Sequence, residues 1–255
     1  MADRGAGLAG VAIVTGGGQG LGRAFSLALA ANGAKVVVAD LHVDTAEHVA
    51  GEIRDQGGSA IAVRCDVGDE VSVAEVVQEA AKTLGGPTIL VNNAAIFSSL
   101  QMRPFTEIPT SEWDAVMAVN VRGAFNCARA VVPLMAQAAY GKIINISSST
   151  VFLGRPNYLH YVTSKAALIG FTRALASEVG PLGIRVNAIT PGSTQTEIPR
   201  ATITPEQRQV MAAQTALRRV QTPDDIIGAL VFLASHASDF ITGQTLNVDG
   251  GLSFV

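Results

Sequence analysis

The sequence predicts an α/β fold built on a doubly wound, seven-stranded parallel sheet, and three observations carry that prediction. Seven short runs rich in Val and Ile alternate along the chain with longer Ala-rich stretches of helical period. The runs are apolar throughout and do not alternate with polar residues, so each strand needs cover on both faces, which the intervening helices supply. The first run ends in a glycine-rich turn that opens into a helix, an order of parts that suits an anion at a helix N-terminus.

Val11 to Thr15 is the first strand, and Leu21 to Ala31 the helix after it, stopped at Gly33. Lys35 to Ala39 is followed by a helix from Thr45 to Asp55 with its stop at Gly57, and Ala60 to Cys65 by one from Val71 to Thr83 ending at Gly85. Ile89 to Asn92 is the fourth strand, after which helical period returns at Phe125 to Ala136. Lys142 to Ser147 precedes the longest helix, Tyr161 to Val179, which stops at Gly180. Arg185 to Ile189, a helix from Asp224 to Ser235 and a last strand from Thr245 to Val248 complete the series. Ser193 to Gln214 departs from the pattern with Thr, Gln and Pro; after a strand end it reads as a substrate loop at 193–214 carrying one short helix and able to move over a site. No linker or repeat interrupts the alternation, so one domain is expected over 1–255.

Composition excludes several classes of function. With 48% hydrophobic and only 15% charged residues, the chain can fill a large core of small aliphatic side chains. A net charge of -3 and no run of Lys and Arg leave no field for a polyanion, so nucleic acid is not an expected partner. No apolar stretch approaches the roughly 18 to 20 residues of a membrane span, and Met1 to Val14 lacks the ordered regions of a secretory signal. A cytoplasmic location is therefore expected. Cys65 and Cys127, far apart in apolar surroundings, are expected to pack in the core without a disulfide. His42, His48, His160 and His236 are scattered without metal-ligand spacing, so no metal is expected in the chemistry.

In the turn Thr15-Gly16-Gly17-Gly18-Gln19-Gly20-Leu21-Gly22, Gly16 turns the chain, Gly20 lets a pyrophosphate approach backbone N–H groups, and Gly22 packs the helix against the sheet. Glycines alone would equally suit a tight turn with no ligand. Asp40 narrows the choice, because it ends the second strand eighteen positions after Gly22, near the spacing at which a carboxylate receives the adenosine ribose hydroxyls. Its alternative is to cap the next helix. A carboxylate there repels a 2′-phosphate, and neither Gln19 nor Leu41 is a cation that could offset it, so the charge balance favours NAD over NADP. Asp66 and Val67 end the third strand in the same layer and suit an adenine edge; Asp66 too has helix capping as its alternative.

Tyr161 and Lys165 stand four apart at the start of a helical stretch and face the same way. An ammonium beside a phenol favours its ionised form and so fits it for proton transfer. Alone, the pair would read as a surface pair. Ser148 changes this: it follows the strand Ile143-Ile144-Asn145-Ile146, thirteen positions before Tyr161, at the carboxyl end of the sheet where ligands bind, and its hydroxyl can hold a substrate oxygen. Strand alternation aims Ser147 and Ser149 away, to satisfy the strand end. His160 lies about 100° round the helix from Tyr161 and reads as a packing or hydrogen-bonding residue.

Thr-Gly-x-x-x-Gly-x-Gly at Thr15 to Gly22, Asn92-Asn93-Ala94-Ala95, Asn120, Ser148, Tyr161-x-x-x-Lys165 and Pro191-Gly192 resemble, in order and spacing, the short-chain dehydrogenase/reductase family. The likeness continues to Thr245-Leu-Asn-Val-Asp-Gly-Gly251 and so covers essentially the whole chain. It implies a single-domain Rossmann fold with strand order 3-2-1-4-5-6-7, a homotetramer, and a catalytic tetrad of Asn120, Ser148, Tyr161 and Lys165, with Asn120 holding a water that connects Lys165 to solvent. It implies cofactor contacts from Gly16, Gln19, Gly20, Leu21, Gly22, Asp40, Leu41, Asp66, Val67, Asn93, Ala94, Ala95, Tyr161, Lys165, Pro191, Gly192, Thr194 and Thr196, the last at the nicotinamide carboxamide. The family usually has Gly where this chain has Ala95, and the extra methyl is expected to need only a packing adjustment.

The expected substrate walls are Ser98, Ser99 and Leu100, then Thr150 to Leu153 with Tyr158, then Ser193 to Ile203. Substrate contacts are expected from Ser148, Thr150, Phe152, Tyr158, Tyr161 and Ser193, with Phe152 either facing an aromatic ring or filling space beside the sheet. The first two groups contain no Arg or Lys, which favours a neutral secondary alcohol or ketone. The stretch from His160 to Lys165, followed by Phe171 to Glu178, is similar to family members that oxidise aryl or cyclic secondary alcohols with NAD. One rival is a 3-oxoacyl-[acyl-carrier-protein] reductase, which usually needs NADPH and a basic docking face. Asp40 opposes the first requirement, and Ala139 and Leu182, expected near the entrance, the second. The other rival, a catalytically silent NAD-sensing protein, is opposed by the intact tetrad.

Overall fold

The computed structural model describes residues 7, 8, 10–199 and 205–254. Its strands are β1 (Val11–Thr15), β2 (Lys35–Asp40), β3 (Ala60–Arg64), β4 (Pro87–Asn92), β5 (Gly141–Ile146), β6 (Ile184–Pro191) and β7 (Thr245–Val248). They form one sheet in the order β3-β2-β1-β4-β5-β6-β7, every pair parallel. The predicted order and direction are therefore what the chain adopts.

Helices α1 (Gly20–Ala31), α2 (Val43–Asp55), α3 (Glu70–Thr83), α4 (Thr110–Met117), α5 (Gly123–Gln137), α6 (Thr150–Leu153), α7 (Leu159–Val179), α8 (Pro205–Gln214) and α9 (Asp224–Ala234) connect them. Successive strand residues point to opposite faces, and the two sets enter separate cores. Ala12, Val14, Val36, Val38, Ile89 and Val91 pack with Phe25 and Leu29 of α1, Ile53 of α2 and Leu230 of α9. Val11, Ile13, Val37, Leu90 and Ile143 pack with Val73 of α3, Val131 and Met135 of α5 and Val179 of α7. This is why the strands are apolar at consecutive positions: each buried aliphatic side chain contributes on the order of 2 kcal/mol, and both faces collect it.

Between β4 and α5 the chain holds more structure than its pattern predicts: a 3-10 turn at Phe105–Glu107, α4, and a five-residue π-helical turn at Ala118–Arg122. Only Val116 of α4 is buried, too little to set up a helical stripe. The short helix expected in the substrate loop is α8. Ile203 of that loop, and Met1 at the N-terminus, lie outside the described residues. The strand order reverses at β1 and β4, so the connections from their carboxyl ends part in opposite directions and leave a crevice.

Candidate active site

The crevice begins at the glycine turn. Gly16 has a φ of +60°, and a Cβ there would come within 2.9 Å of the Ala94 Cα; a Cβ on Gly22 would lie 1.8 Å from the Gly16 carbonyl oxygen. Side chains at these positions would push the turn off the end of β4. Thr15 ties the two strand ends together: its hydroxyl donates to the Val91 carbonyl at 3.3 Å and accepts the Asn93 and Ala94 N–H groups at 3.1 Å each. Asn93 Nδ2 donates to the Thr15 and Gly16 carbonyls at 3.0 Å.

Asp40, 6% exposed, closes the turn from the side. Its Oδ2 accepts the Gly18 N–H at 2.9 Å and its Oδ1 the His42 N–H at 3.0 Å. It accepts no N–H from the first turn of α2, whose N-cap is His42, so the capping alternative does not describe it. Asp66 accepts the Gly68 N–H at 2.9 Å, and the cap of α3 is Asp69, which accepts the Val71 N–H at 3.0 Å.

These groups wall one end of a cavity of about 460 Å³. Gln19, Leu21, Leu41, Asp66 and Val67 line that end, Asn93, Ala94 and Ala95 the middle, and Ser148, Thr150, Tyr161 and Lys165 the far end, with Pro191, Gly192, Ser193, Thr194 and Thr196 over it. Of the predicted cofactor residues only Gly20 is absent from the wall. Glu197 Oε1 accepts its N–H at 2.7 Å, and the Ile198 Cδ1 stands 2.7 Å from where a Cβ on Gly20 would be. The loop after β6 lies over the helix N-terminus.

At the far end, Tyr161 is 6% exposed and its ring stacks on Phe97, centroids 4.3 Å apart at 26°. Lys165, one helical turn on, holds its Nζ 5.8 Å from the Tyr161 ring centroid and donates to the Ile146 carbonyl at 2.8 Å. Burial pulls its ammonium down to about 8. Ser148 Oγ accepts from the Thr150 hydroxyl at 2.9 Å and the Thr150 N–H at 3.3 Å. Ser147 and Ser149 reach the cavity wall as well, contrary to the alternation expected, because the chain leaves the strand at Ile146. The Ser147 hydroxyl is used by the Lys165 carbonyl, to which it donates at 2.6 Å.

Asn120 stands behind the wall, in the π-helical turn, an element often found at functional sites. Its Oδ1 accepts the Ile96 N–H at 2.8 Å, and its Nδ2 donates to Ser164 Oγ at 3.0 Å. It thus joins the segment after β4 to α7. His160 is fully buried with Nε2 3.2 Å from Glu112 of α4, the hydrogen-bonding place expected of it.

Several substrate-wall expectations need correction. Phe152, Tyr158, Ser99 and Leu100 do not line the cavity. Tyr158 and Leu100 pack behind it with Val116, and Ser99 is exposed. Leu153 lines it as expected, and Phe97, Arg155 and Met211, which the sequence did not single out, line it as well. Arg155 removes the basis for a wall without cations. It was missed because it lies beyond Gly154, whose φ of +57° reverses the chain after α6; Phe97 was missed because no pattern follows the end of β4. Ala139 and Leu182 are not near the entrance. Gly141 N–H donates to the Gly183 carbonyl, and a Cβ on Gly183 would meet the Ala139 oxygen at 2.3 Å. Both residues therefore sit at the amino ends of β5 and β6, opposite the cavity. Among the described residues no group of three or more His, Cys, Asp or Glu comes together as a metal site.

A family model described as enoyl-(acyl carrier protein) reductase matches residues 16–253. The chain is 43% identical over 242 residues to an uncharacterized oxidoreductase of Mycobacterium tuberculosis, covering 94% of this chain and 96% of that one. It is 38% identical over 240 residues to the 7alpha-hydroxysteroid dehydrogenase of Escherichia coli, covering 94% and 92%. A solved gluconate 5-dehydrogenase from Burkholderia cenocepacia, in complex with NADP and tartrate, matches with a TM-score of 0.89 at 36% identity, over 95% of this chain and 94% of that chain.

Proposed function

The chain belongs to the short-chain dehydrogenase/reductase family of nicotinamide-dependent oxidoreductases, and from that premise we propose that it is an NAD(H)-dependent enzyme interconverting an aryl or cyclic secondary alcohol and its ketone. The observation that carries this reading is one cavity with the glycine turn and Asp40 at one end and Ser148, Tyr161 and Lys165 at the other.

A dinucleotide fits the residues present. The turn at Gly16 and Gly22 has no room for side chains, and the N–H groups at the start of α1 suit a pyrophosphate. Asp40 would receive ribose hydroxyls, Asp66 and Val67 an adenine edge, and Thr196 the carboxamide. Among the described residues the Arg and Lys side chains of the wall are Arg155 and Lys165, both at the far end, so neither stands beside Asp40 to offset its repulsion of a 2′-phosphate. That supports NAD, although the Burkholderia relative was solved with NADP. When bound, the nicotinamide accepts a hydride in oxidation and returns it in reduction.

Tyr161 takes the alcohol proton at its phenolic oxygen in the oxidative direction and gives it back in the reductive one. The ammonium of Lys165, 5.8 Å from the Tyr161 ring centroid, stabilises the phenolate and would hold the ribose of a bound dinucleotide. Because Thr150 donates to Ser148 Oγ, the Ser148 proton is directed to the substrate oxygen, where it steadies the developing charge. Asn120 positions Ile96 and α7 and keeps a water between Lys165 and solvent. Ile96, Phe97, Val119, Leu153 and Met211 give the wall its apolar area, which suits a ring next to a neutral reacting carbinol, and a relative named as a hydroxysteroid dehydrogenase supports a cyclic alcohol. We place this activity in a single domain over 1–255, in a homotetramer, and in the cytoplasm, where the free thiols of Cys65 and Cys127 stay reduced.

The test is turnover of aryl, cyclic and aliphatic secondary alcohols, their ketones and a 3-oxoacyl thioester, with NAD(H) and NADP(H) in parallel and Tyr161→Phe as the blank. Activity with NAD on a ring-bearing alcohol, absent in the blank, supports the proposal. Turnover of the thioester alone would replace it with the carrier-linked reductase, and tight NADH binding without turnover with the sensor.

A further inference from the structure

Among the described residues the substrate end of the cavity is lined by apolar groups and hydroxyls apart from two cations. Lys165 is buried and committed to the Ile146 carbonyl. Arg155 is only half-buried and faces the cavity that Ser148 and Tyr161 line. Its guanidinium lies over the Tyr158 ring, 5.5 Å from the centroid. That ring is itself fixed: it is 4% exposed, 6.0 Å from Phe97 and 6.3 Å from Tyr161, centroid to centroid. An aromatic face orients a guanidinium without using its N–H donors.

No Asp or Glu among the described residues pairs with Arg155, whereas Arg23, Arg54, Arg103, Arg129 and Arg219 each have a carboxylate partner. Arg103 is instructive, because it is similarly sheltered and is held by Glu112. A sheltered cation with a fixed platform and open donors is suited to an anion that arrives with the ligand.

We infer that Arg155 binds a carboxylate on the substrate, two ring contacts away from the carbinol that Tyr161 deprotonates. The inference rests on the dehydrogenase reading for the position of the carbinol. One uncommitted cation among the described residues of the wall matches one negative charge, which favours a carboxylate over a phosphate dianion. The substrate class is then a hydroxy or oxo monocarboxylate with an apolar ring or chain between its two functional groups: the reacting end is neutral and the distal end is not.

The probes are 4-oxocyclohexanecarboxylate and its methyl ester, tested on wild type, Arg155→Met and Arg155→Lys with NADH and NADPH, and with circular dichroism to verify folding. In wild type the acid should exceed the ester in kcat/KM by about tenfold, the size of one charge-assisted hydrogen bond, with the difference in KM. The ratio should fall to near one in Arg155→Met and recover in part in Arg155→Lys. Thermal shift of each protein with NADH and either probe reads the same preference without turnover. Equal treatment of acid and ester by wild type in both measurements, or a preference that survives in Arg155→Met, overturns the role of Arg155, even where both probes are reduced and the dehydrogenase reading stands. A thermal preference for the acid that Arg155→Met abolishes supports Arg155 even where neither probe is reduced, an outcome that counts against the dehydrogenase reading alone.

Discussion

Replacing Glu197 by Ala is expected to tighten NADH binding about tenfold. The Glu197 carboxylate accepts the Gly20 N–H at 2.7 Å, one of the first donors of α1, so the chain's own anion occupies the place a pyrophosphate needs. A hydrogen bond to a charged group contributes about 1.5–3 kcal/mol net, and Glu197 is exposed, so the lower end applies. A bias of about 1.5 kcal/mol leaves the open loop near one part in ten, and apparent affinity falls by the same fraction. Glu197→Gln keeps a neutral acceptor and should give about threefold, because neutral hydrogen bonds have about half the strength. Stopped-flow NADH fluorescence should put the gain in the association rate and leave dissociation unchanged. Simple repulsion between Glu197 and the pyrophosphate would also be relieved by the substitution, but about 1 M salt shortens the screening length to about 3 Å and removes it. A gain that vanishes in salt, or NADH binding no tighter than wild type, would refute competition for the Gly20 N–H.

Lys165→Met should remove a pH dependence of stability. Burial lowers Lys165 from 10.5 to about 8, so between those values the unfolded chain binds the extra proton and wild-type stability rises with pH, by at most about 3 kcal/mol; urea midpoints at pH 8 and 10 should differ in wild type and converge in the variant. Asp40→Ser combined with Leu41→Arg should shift the NADH to NADPH affinity ratio toward NADPH by about a hundredfold, as carboxylate repulsion gives way to a phosphate contact, read by fluorescence titration of both cofactors. At the amino end of β5, on the side of the sheet away from the cavity, Lys142 is fully buried, 2.9 Å from Asp239 and 3.0 Å from the Ser238 hydroxyl. Asp239→Asn should cost about 3 kcal/mol in denaturant melts by leaving that ammonium uncompensated. The Lys142 and His236 hydrogen bonds hold the Asp239 carboxyl below its ordinary range against the opposing effect of burial, so its contribution is present above that range and lost as pH falls through the lowered value, a loss the variant should not show.

The sheet was legible because each strand is covered on both faces. Val11 to Val14 must all be apolar when Val11 and Ile13 enter one core and Ala12 and Val14 the other, and no helix of an ordinary amphipathic kind has that run. The glycine turn with Asp40, and Ser148 with Tyr161 and Lys165, were legible for a related reason: their spacing along the chain is set by single elements, a strand plus a turn or one turn of α7. Where placement depends on how separate elements meet, the pattern carries no record. α4 buries one side chain and sets up no stripe. Tyr158 is adjacent to α7 but turns behind the wall to pack with Phe97, while Phe97 itself lies against Tyr161 across sixty-four residues of chain.

Arg155 and Glu197 mark the same boundary from the side of function. A charge in a connecting segment has no period that betrays its partner: Arg155 reaches the cavity because Gly154 reverses the chain, and Glu197 meets Gly20 across 177 positions. The groups proposed to transfer the proton sit on the end of β5 and on α7, regular elements that constrain their spacing. The groups proposed to choose the substrate's charge and to regulate cofactor entry sit on loops that the sheet holds in place without dictating their sequence. Reaction type is therefore readable from spacing in a chain of this kind, whereas substrate choice becomes readable only when the loops are seen against the cavity they surround.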